Sequence, residues 1–90
     1  MQKQIVLKIY GKVQGVFFRD SSRKKAKELN LSGWARNEPD GMVQIVAEGE
    51  EKDLKKLIEW CADGPYHAKV EKMDAEWKTS TSQFDDFMIK

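Results

Sequence analysis

Residues 11–19 carry the clearest set of groups for binding an anion. Two glycines four positions apart, Gly11 and Gly15, permit backbone angles that other residues avoid, and Arg19 follows them where a helix is predicted to begin. Backbone N–H groups at a helix start have no partner inside the helix, and the helix dipole is positive there. The guanidinium of Arg19 adds a planar set of donors that can grip two phosphate oxygens. The combination indicates a phosphate site, whereas a glycine loop alone is more often only a tight turn.

The single histidine and the single cysteine do not suggest a second reactive centre. His67 has no other histidine with which to build a metal or nucleophile cluster, so we expect it to face solvent in a loop. Cys61 falls on the apolar stripe of a predicted helix with no basic partner implied nearby, which favours a buried packing role over a thiolate nucleophile. We therefore expect no metal ion and no cofactor.

The composition limits the kinds of partner. Ninety residues make one domain, over residues 1–90, because a second core could not be built from the remainder. The formal net charge is +1, so no one-signed field indicates a nucleic acid or a membrane surface, and any anion site must be local. The lone cysteine and the lack of a signal peptide or long apolar run fit a reducing compartment. We expect a cytoplasmic monomer.

The elements that must position these groups follow from the hydrophobic periodicity. Ile5, Leu7 and Ile9 alternate with other residues and predict a first strand. A Pro and an Asp-Gly pair separate two further strand-like runs as a hairpin turn, and a change of apolar parity after Val70 predicts a bulge. The predicted strands cover residues 4–10, 32–37, 42–48, 68–78 and 84–89, with the turn at 38–41.

Two helices complete the pattern. The first is predicted over residues 20–29, because Asp20 and the two following serines suit a helix start. The second is predicted over residues 50–63, where apolar residues recur at helical spacing before a Gly-Pro stop. The order β-α-β-β-α-β with a short fifth strand predicts an α+β, ferredoxin-like two-layer sandwich, with an antiparallel sheet and both helices on one face. The expected core residues are Ile5, Leu7, Ile9, Leu54, Leu57 and Ile58.

Two short motifs, at residues 11–19 and 31–41, resemble those of the acylphosphatase family and occur in the same order. Residues 11–19 match a signature of glycine, valine, glycine, valine, phenylalanine and arginine, and residues 31–41 match a Gly-aromatic-x-x-Asn strand that runs into an Asp-Gly turn. The resemblance covers essentially the whole chain, since it extends to Gly64, Pro65, Ala68, Val70, Phe84 and Phe87.

The resemblance implies an enzyme that hydrolyses the carboxyl–phosphate bond of acyl phosphates, with inorganic phosphate as product and inhibitor. Carried over by position, the phosphate-binding arginine is Arg19 and the water-orienting asparagine is Asn37. A carboxylate leaves readily, so holding the phosphoryl charge and placing water can suffice. The family's proposed proton acceptor is the substrate's own phosphate. The phosphate loop, acting mainly through its backbone, is Gln14, Gly15, Val16, Phe17, Phe18 and Arg19.

Two other functions remain open on the sequence. A ferredoxin-like fold can bind single-stranded RNA through aromatic side chains on its open sheet face, but residues 42–48 contain no aromatic residue. A domain that binds phosphate or carboxyphosphate without turnover, such as the acylphosphatase-like piece of a larger carbamoyl-transferring protein, would use the same loop. Hydrolysis of benzoyl phosphate separates these alternatives from the enzyme.

Overall fold

The fold is a five-stranded sheet covered on one face by two helices. The computed structural model describes residues 1–90, and its sheet has the strand order β4-β1-β3-β2-β5. Helix α2 packs on β1, β3 and β4, whereas α1 packs on β2 and β5. The predicted ferredoxin-like α+β sandwich is confirmed. Its elements are β1 (Gln2–Lys12), α1 (Phe18–Glu28), β2 (Ser32–Asn37), β3 (Val43–Glu50), α2 (Glu51–Asp63), β4 (Lys69–Thr79) and β5 (Phe87–Ile89).

The core lies between the helices and the inner face of the sheet. Five of the six expected core residues are fully buried, and Ile58 is partly buried against the others because it lies at the side of the apolar stripe of α2. Burial of such aliphatic side chains is the main force that holds the two layers together. Neither helix is long and apolar enough to cross a membrane. The fully buried aliphatic residues of the core include Ile5, Leu7, Ile9, Val43, Ile45, Leu54 and Leu57.

Strand β3 explains why Val43 and Val46 differ in parity. Val43 lies on the inner face and is fully buried, whereas Val46 pairs with Val6 on the outer face, where both side chains are nearly buried. The strand is central in the sheet, with β1 on one side and β2 on the other. A central strand buried on both faces loses the simple alternation of a half-buried strand, so its pattern could not define the register.

The predicted bulge in β4 is confirmed. Tyr10 pairs with Lys72 and Gly11 pairs with Val70, so Glu71 is the extra residue of β4. Gly11 has a φ of +126°, and a Cβ there would collide with the Lys69 carbonyl oxygen. A glycine is therefore needed where the bulged strand bends across β1 just before the phosphate loop.

The fifth strand corrects one part of the predicted topology. β5 pairs in parallel with β2, through Gly33 with Phe87 and Ala35 with Ile89, so the sheet is mixed rather than wholly antiparallel. The chain leaves β4 at one edge and crosses to the opposite edge before it forms β5. Three residues of alternating burial carry no information about strand direction, so the sequence could not distinguish the two arrangements.

The segment that joins β4 to β5 is fixed by one buried carboxylate. The side chain of Glu48 is 3% exposed on the outer face, where Gln4 donates to it at 2.7 Å. Ser80 Oγ donates at 3.1 Å, Thr81 donates through N and Oγ1 at 2.8 Å each, and Ser82 N donates at 3.0 Å. Burial raises the pKa of Glu48, but the hydrogen bonds from Thr81, Gln4 and Ser80 outweigh it and hold the pKa below its usual value. We call residues 80–86 the crossover segment.

Candidate active site

A cavity of ≈ 380 Å³ opens beside the loop that joins β1 to α1. The beginning of α1, the last residue of β2 and the end of β5 form the rest of its wall. The cavity therefore lies where three segments that are distant in sequence converge, since the loop runs directly into α1. Its lining residues are Val13, Gly15, Phe17, Phe18, Arg19, Asp20, Asn37 and Ile89.

Helix α1 begins two residues earlier than the sequence indicated. It starts at Phe18, and Phe17 occupies the N-cap position in the left-handed region, with φ 63° and ψ 26°. The helix starts here because the buried Phe18 ring packs edge-on against Trp60, with 5.8 Å between ring centroids. No side chain caps the helix. Its first-turn N–H groups are consequently available to an anion in the cavity.

Gly15 is needed for its backbone conformation and not because a side chain would lack room. Its φ is +73°, and no atom lies within 4 Å of the position that a Cβ would occupy. An L-residue other than glycine is strained in this region. The glycine therefore lets the loop turn towards the start of α1 while Gly15 itself lines the cavity.

Arg19 lies in the first turn of α1 and is half-buried at the cavity. Its Nη1 donates to the carbonyl oxygen of Lys90 at 3.1 Å, which links the helix start to the residue after β5. Asp20, the next residue, also lines the cavity, and its carboxylate lies 3.3 Å from Arg23 and 3.6 Å from Lys24. The positive groups at the cavity wall are thus the Arg19 guanidinium and the helix start itself.

Asn37 reaches the cavity from the end of β2. It pairs with Val43 and shares the inner face of the sheet with Ala35. Arg36 lies on the outer face, because successive residues of a strand point to opposite faces, and its guanidinium is 4.9 Å from the centre of the Trp34 ring. The fold therefore brings Arg19 and Asn37 to one cavity and takes Arg36 away from it.

Gln14 contributes through its side chain in a way the sequence did not indicate. Its Nε2 donates to the carbonyl oxygens of Glu38 at 2.8 Å and Met42 at 2.9 Å, at the two ends of the turn between β2 and β3. Gln14 is not part of the cavity lining. The side chain fastens the phosphate loop to the turn that follows Asn37, so it can set the distance between them.

The remaining predicted residues of the phosphate loop lie either in the cavity lining or in the hydrophobic core. Gly15, Phe17 and Phe18 line the cavity, whereas Val16 is buried in the core cluster. Val13, Asp20 and Ile89 also line the cavity, although no pattern in the sequence predicted this. Ile89 lies two residues after Phe87 on the same face of β5, and the parallel pairing of β5 with β2 that brings Ile89 to the site has no signature in the sequence.

Cys61 and His67 lie outside the cavity. Cys61 is fully buried, as predicted, and burial raises the pKa of its thiol well above the usual value. His67 is exposed, as predicted, and its ring lies 4.9 Å from that of Tyr66. The structure contains no group of three or more His, Cys, Asp or Glu side chains that could hold a metal ion.

Comparison with known proteins gives the family. A family model described as Acylphosphatase matches residues 5–89. An acylphosphatase from Marinobacter nauticus is 53% identical over 90% of this chain and 88% of its own length, and one from Syntrophus aciditrophicus is 47% identical over 99% and 93%. The crystal structure of the acylphosphatase from Bacillus subtilis superposes with a TM-score of 0.94 at 33% identity, covering 100% of this chain and 99% of its own. The chain belongs to the acylphosphatase family.

Proposed function

We infer that the protein is an acylphosphatase that binds the phosphoryl group with residues 14–19 and orients water with Asn37. The reaction cleaves the carboxyl–phosphate bond of an acyl phosphate and yields a carboxylate and inorganic phosphate. The observation that carries the assignment of the residues is that Arg19 and Asn37, from different elements, line one cavity at an uncapped helix start.

Phosphate binding uses the loop amides and Arg19. The backbone N–H groups at the start of α1 offer several donors to one anion, and the helix dipole adds a positive partial charge. Arg19 Nη1 donates to a main-chain oxygen of Lys90. A phosphoryl dianion presents several oxygens to the planar donors of a guanidinium, so Arg19 can grip two phosphate oxygens when substrate binds.

Asn37 orients the attacking water. Its amide oxygen accepts a hydrogen bond from water and its amide nitrogen donates, which can hold the water in line with the bond that breaks. Water oxygen forms a new bond to phosphorus as the phosphorus–oxygen bond to the carboxylate breaks and that carboxylate leaves with the electron pair. Asn37 is too weakly basic to accept the proton, which passes to a phosphoryl oxygen of the substrate.

The assignment is tested with benzoyl phosphate. The purified chain should release inorganic phosphate far faster than spontaneous hydrolysis near neutral pH, without added metal, and added inorganic phosphate should inhibit competitively. Decay at the spontaneous rate would leave only a binding role. Purely noncompetitive inhibition by phosphate would count against the loop as the phosphoryl site.

The outer face of the sheet does not favour an RNA-binding role. The outer face of the sheet would have to stack bases, but the crossover segment is fixed onto that face through Glu48. The nearly buried Val6, Val46 and Gln4 lie there as well, and β3 offers no aromatic side chain.

We also propose that residues 1–90 act as one domain and that the protein is a cytoplasmic monomer. The reach of the family match, from residue 5 to residue 89, supports the single domain. A reduced, buried Cys61 and a nearly balanced charge are consistent with the compartment. Size-exclusion chromatography with light scattering should give the mass of one chain, 10.4 kDa, and twice that mass would contradict the monomer.

A further inference from the structure

We propose that the side chains of Phe17 and Ile89 form a subsite for the acyl part of the substrate, which favours uncharged aromatic or branched aliphatic acyl phosphates. The inference rests on the proposed function, because it takes the phosphoryl group to be held by the loop amides and Arg19. It assigns to Phe17 a role for its side chain in addition to that of its backbone.

The exposure of Phe17 is the first observation. Its side chain is 78% exposed, whereas Phe18 and Phe87 are 2% and 1% exposed in the core. Phe17 also adopts the left-handed backbone conformation, which is unusual for a bulky residue. The ring is therefore not needed for core packing, and it lies at the wall of the cavity. A large apolar group held in a strained position at a cavity points to contact with a ligand.

The size and lining of the cavity supply the second observation. A volume of ≈ 380 Å³ falls within the range of roughly 300–1,000 Å³ typical of sites for small organic molecules. Space for an acyl group thus remains beside a phosphoryl group. Val13 and Phe18 are buried and form an apolar floor, while Phe17 and the half-buried Ile89 offer the accessible apolar surface.

The charges of the lining argue for an uncharged acyl group. Arg19 is the one cationic side chain among the lining residues, and the phosphoryl group engages it. Asp20 is the one anionic side chain there. A second carboxylate or phosphate on the acyl part would therefore find no second cation among the lining residues, whereas an uncharged acyl group needs none.

The test compares two substrates that share the phosphoryl group and differ in the acyl part. We would measure kcat/KM for benzoyl phosphate and acetyl phosphate in the wild type, Phe17→Ala and Phe17→Leu. Phe17→Ala should lower the ratio of benzoyl to acetyl activity about tenfold, the value expected for lost apolar contact with one ring. Phe17→Leu should restore much of the ratio. Tyr66→Ala, which removes a 91% exposed aromatic side chain outside the cavity lining, should leave the ratio unchanged.

The inhibition constant for inorganic phosphate separates the subsite from the loop. In Phe17→Ala, the inhibition constant for phosphate should change by a smaller factor than kcat/KM for benzoyl phosphate, because inorganic phosphate has no acyl part. Equal losses for both substrates and for phosphate would mean that the substitution distorts the loop, and would overturn the subsite. An unchanged ratio in an otherwise active Phe17→Ala would also overturn it while leaving the acylphosphatase assignment intact. A wild-type protein that hydrolyses neither substrate would overturn both proposals.

Discussion

At the scale of single residues, the proposed mechanism separates the group that binds phosphate from the group that places water. Arg19 lies at the positive end of α1, where its fixed charge adds to the helix dipole. Asn37 lies at the end of β2 and carries no charge, so it can approach a dianion and a water molecule at once. Because the two side chains have different tasks, their removal should change different kinetic constants.

Arg19→Ala should abolish most of the activity through lost phosphate binding. Removal of one strong donor to a developing or fixed anion typically costs about 10²–10³ in rate. We expect kcat/KM for benzoyl phosphate to fall by at least that range and competitive inhibition by phosphate to weaken in parallel. Lys25→Ala removes one positive charge from the same helix outside the cavity and serves as the control. A variant Arg19→Ala that keeps most of its kcat/KM would contradict the assignment.

Asn37→Ala should lower kcat while phosphate still binds. The substitution removes the side chain that positions water but leaves the loop and Arg19 in place, so we expect a loss of about 10²-fold in kcat. The inhibition constant for inorganic phosphate should stay close to that of the wild type. Unchanged turnover would refute the role of Asn37, and an equal weakening of phosphate binding would show that it binds the anion directly.

At the scale of elements, repeated apolar patterns were enough to predict most of the fold. Helix α2 has apolar residues at helical spacing over its whole length, so its predicted and observed starts differ by a single residue. The bulge of β4 was predicted because a parity change can be read directly from Val70 and Met73. Such local signals recur several times within one element and therefore do not depend on any tertiary contact.

The parts of the site that were not predicted depend on contacts between distant residues. The start of α1 at Phe18 is set by packing against Trp60 from the second helix, which outweighs the cap that Asp20 suggested. The side chain of Gln14 reaches the turn between β2 and β3, where its two hydrogen-bond acceptors lie 24 and 28 positions further along the chain. Neither contact has a periodic signature in the sequence. The resemblance to the acylphosphatase family therefore identified the phosphate loop, but only the structure showed the contacts that hold the loop in place.

Gln14→Leu tests the link between the loop and the turn. The change keeps a side chain of similar size but removes both hydrogen bonds, so we expect a loss of about 1–2 kcal/mol in the free energy of unfolding. The loop and Asn37 would no longer be held at a fixed distance, and kcat should fall severalfold. Urea unfolding and benzoyl phosphate kinetics measure the two effects. Gln2→Leu, at the exposed start of β1, is the matched control, and full activity in Gln14→Leu would show that the link does not serve the site.

At the scale of the whole molecule, one carboxylate connects the two edges of the sheet. Glu48 on β3 fixes the crossover segment, which leads to β5, and β5 carries Ile89 at the cavity. Asp86 completes the connection, since its carbonyl oxygen accepts from Gly33 N at 3.0 Å and its carboxylate lies 3.4 Å from Lys27 on α1. A change at Glu48 should therefore affect the fold as a unit.

Glu48 should make the free energy of unfolding depend on pH in the acidic range. Burial raises its pKa, but the hydrogen bonds from Thr81, Gln4 and Ser80 lower it by more, so the folded-state pKa lies below the usual 4.5. A carboxylate with a lowered folded-state pKa stabilises the fold above the unfolded-state pKa, and this contribution is lost as the pH falls through the folded-state value. The wild type should thus lose unfolding free energy below about pH 4.5 more steeply than Glu48→Gln does.

Urea unfolding between pH 3 and pH 7 measures this difference. Glu48→Gln should already be less stable at pH 7, by about 1–3 kcal/mol, because a neutral amide accepts hydrogen bonds less strongly and presents donors to other donors. Glu59→Gln, on the exposed side of α2, should show the acid dependence of the wild type. Parallel pH curves for the wild type and Glu48→Gln would contradict the role of Glu48.

The position of β5 also bears on self-association. A sheet normally ends in two strands whose unpaired backbone groups can recruit a strand from a second molecule. β5 occupies the open side of β2 with only three residues, too short a template for another chain, and β4 at the other margin carries acidic and basic side chains along its length. Loss of residues 80–90 would expose β2 as a longer, uncovered margin, and such a truncated chain should form strand-paired oligomers.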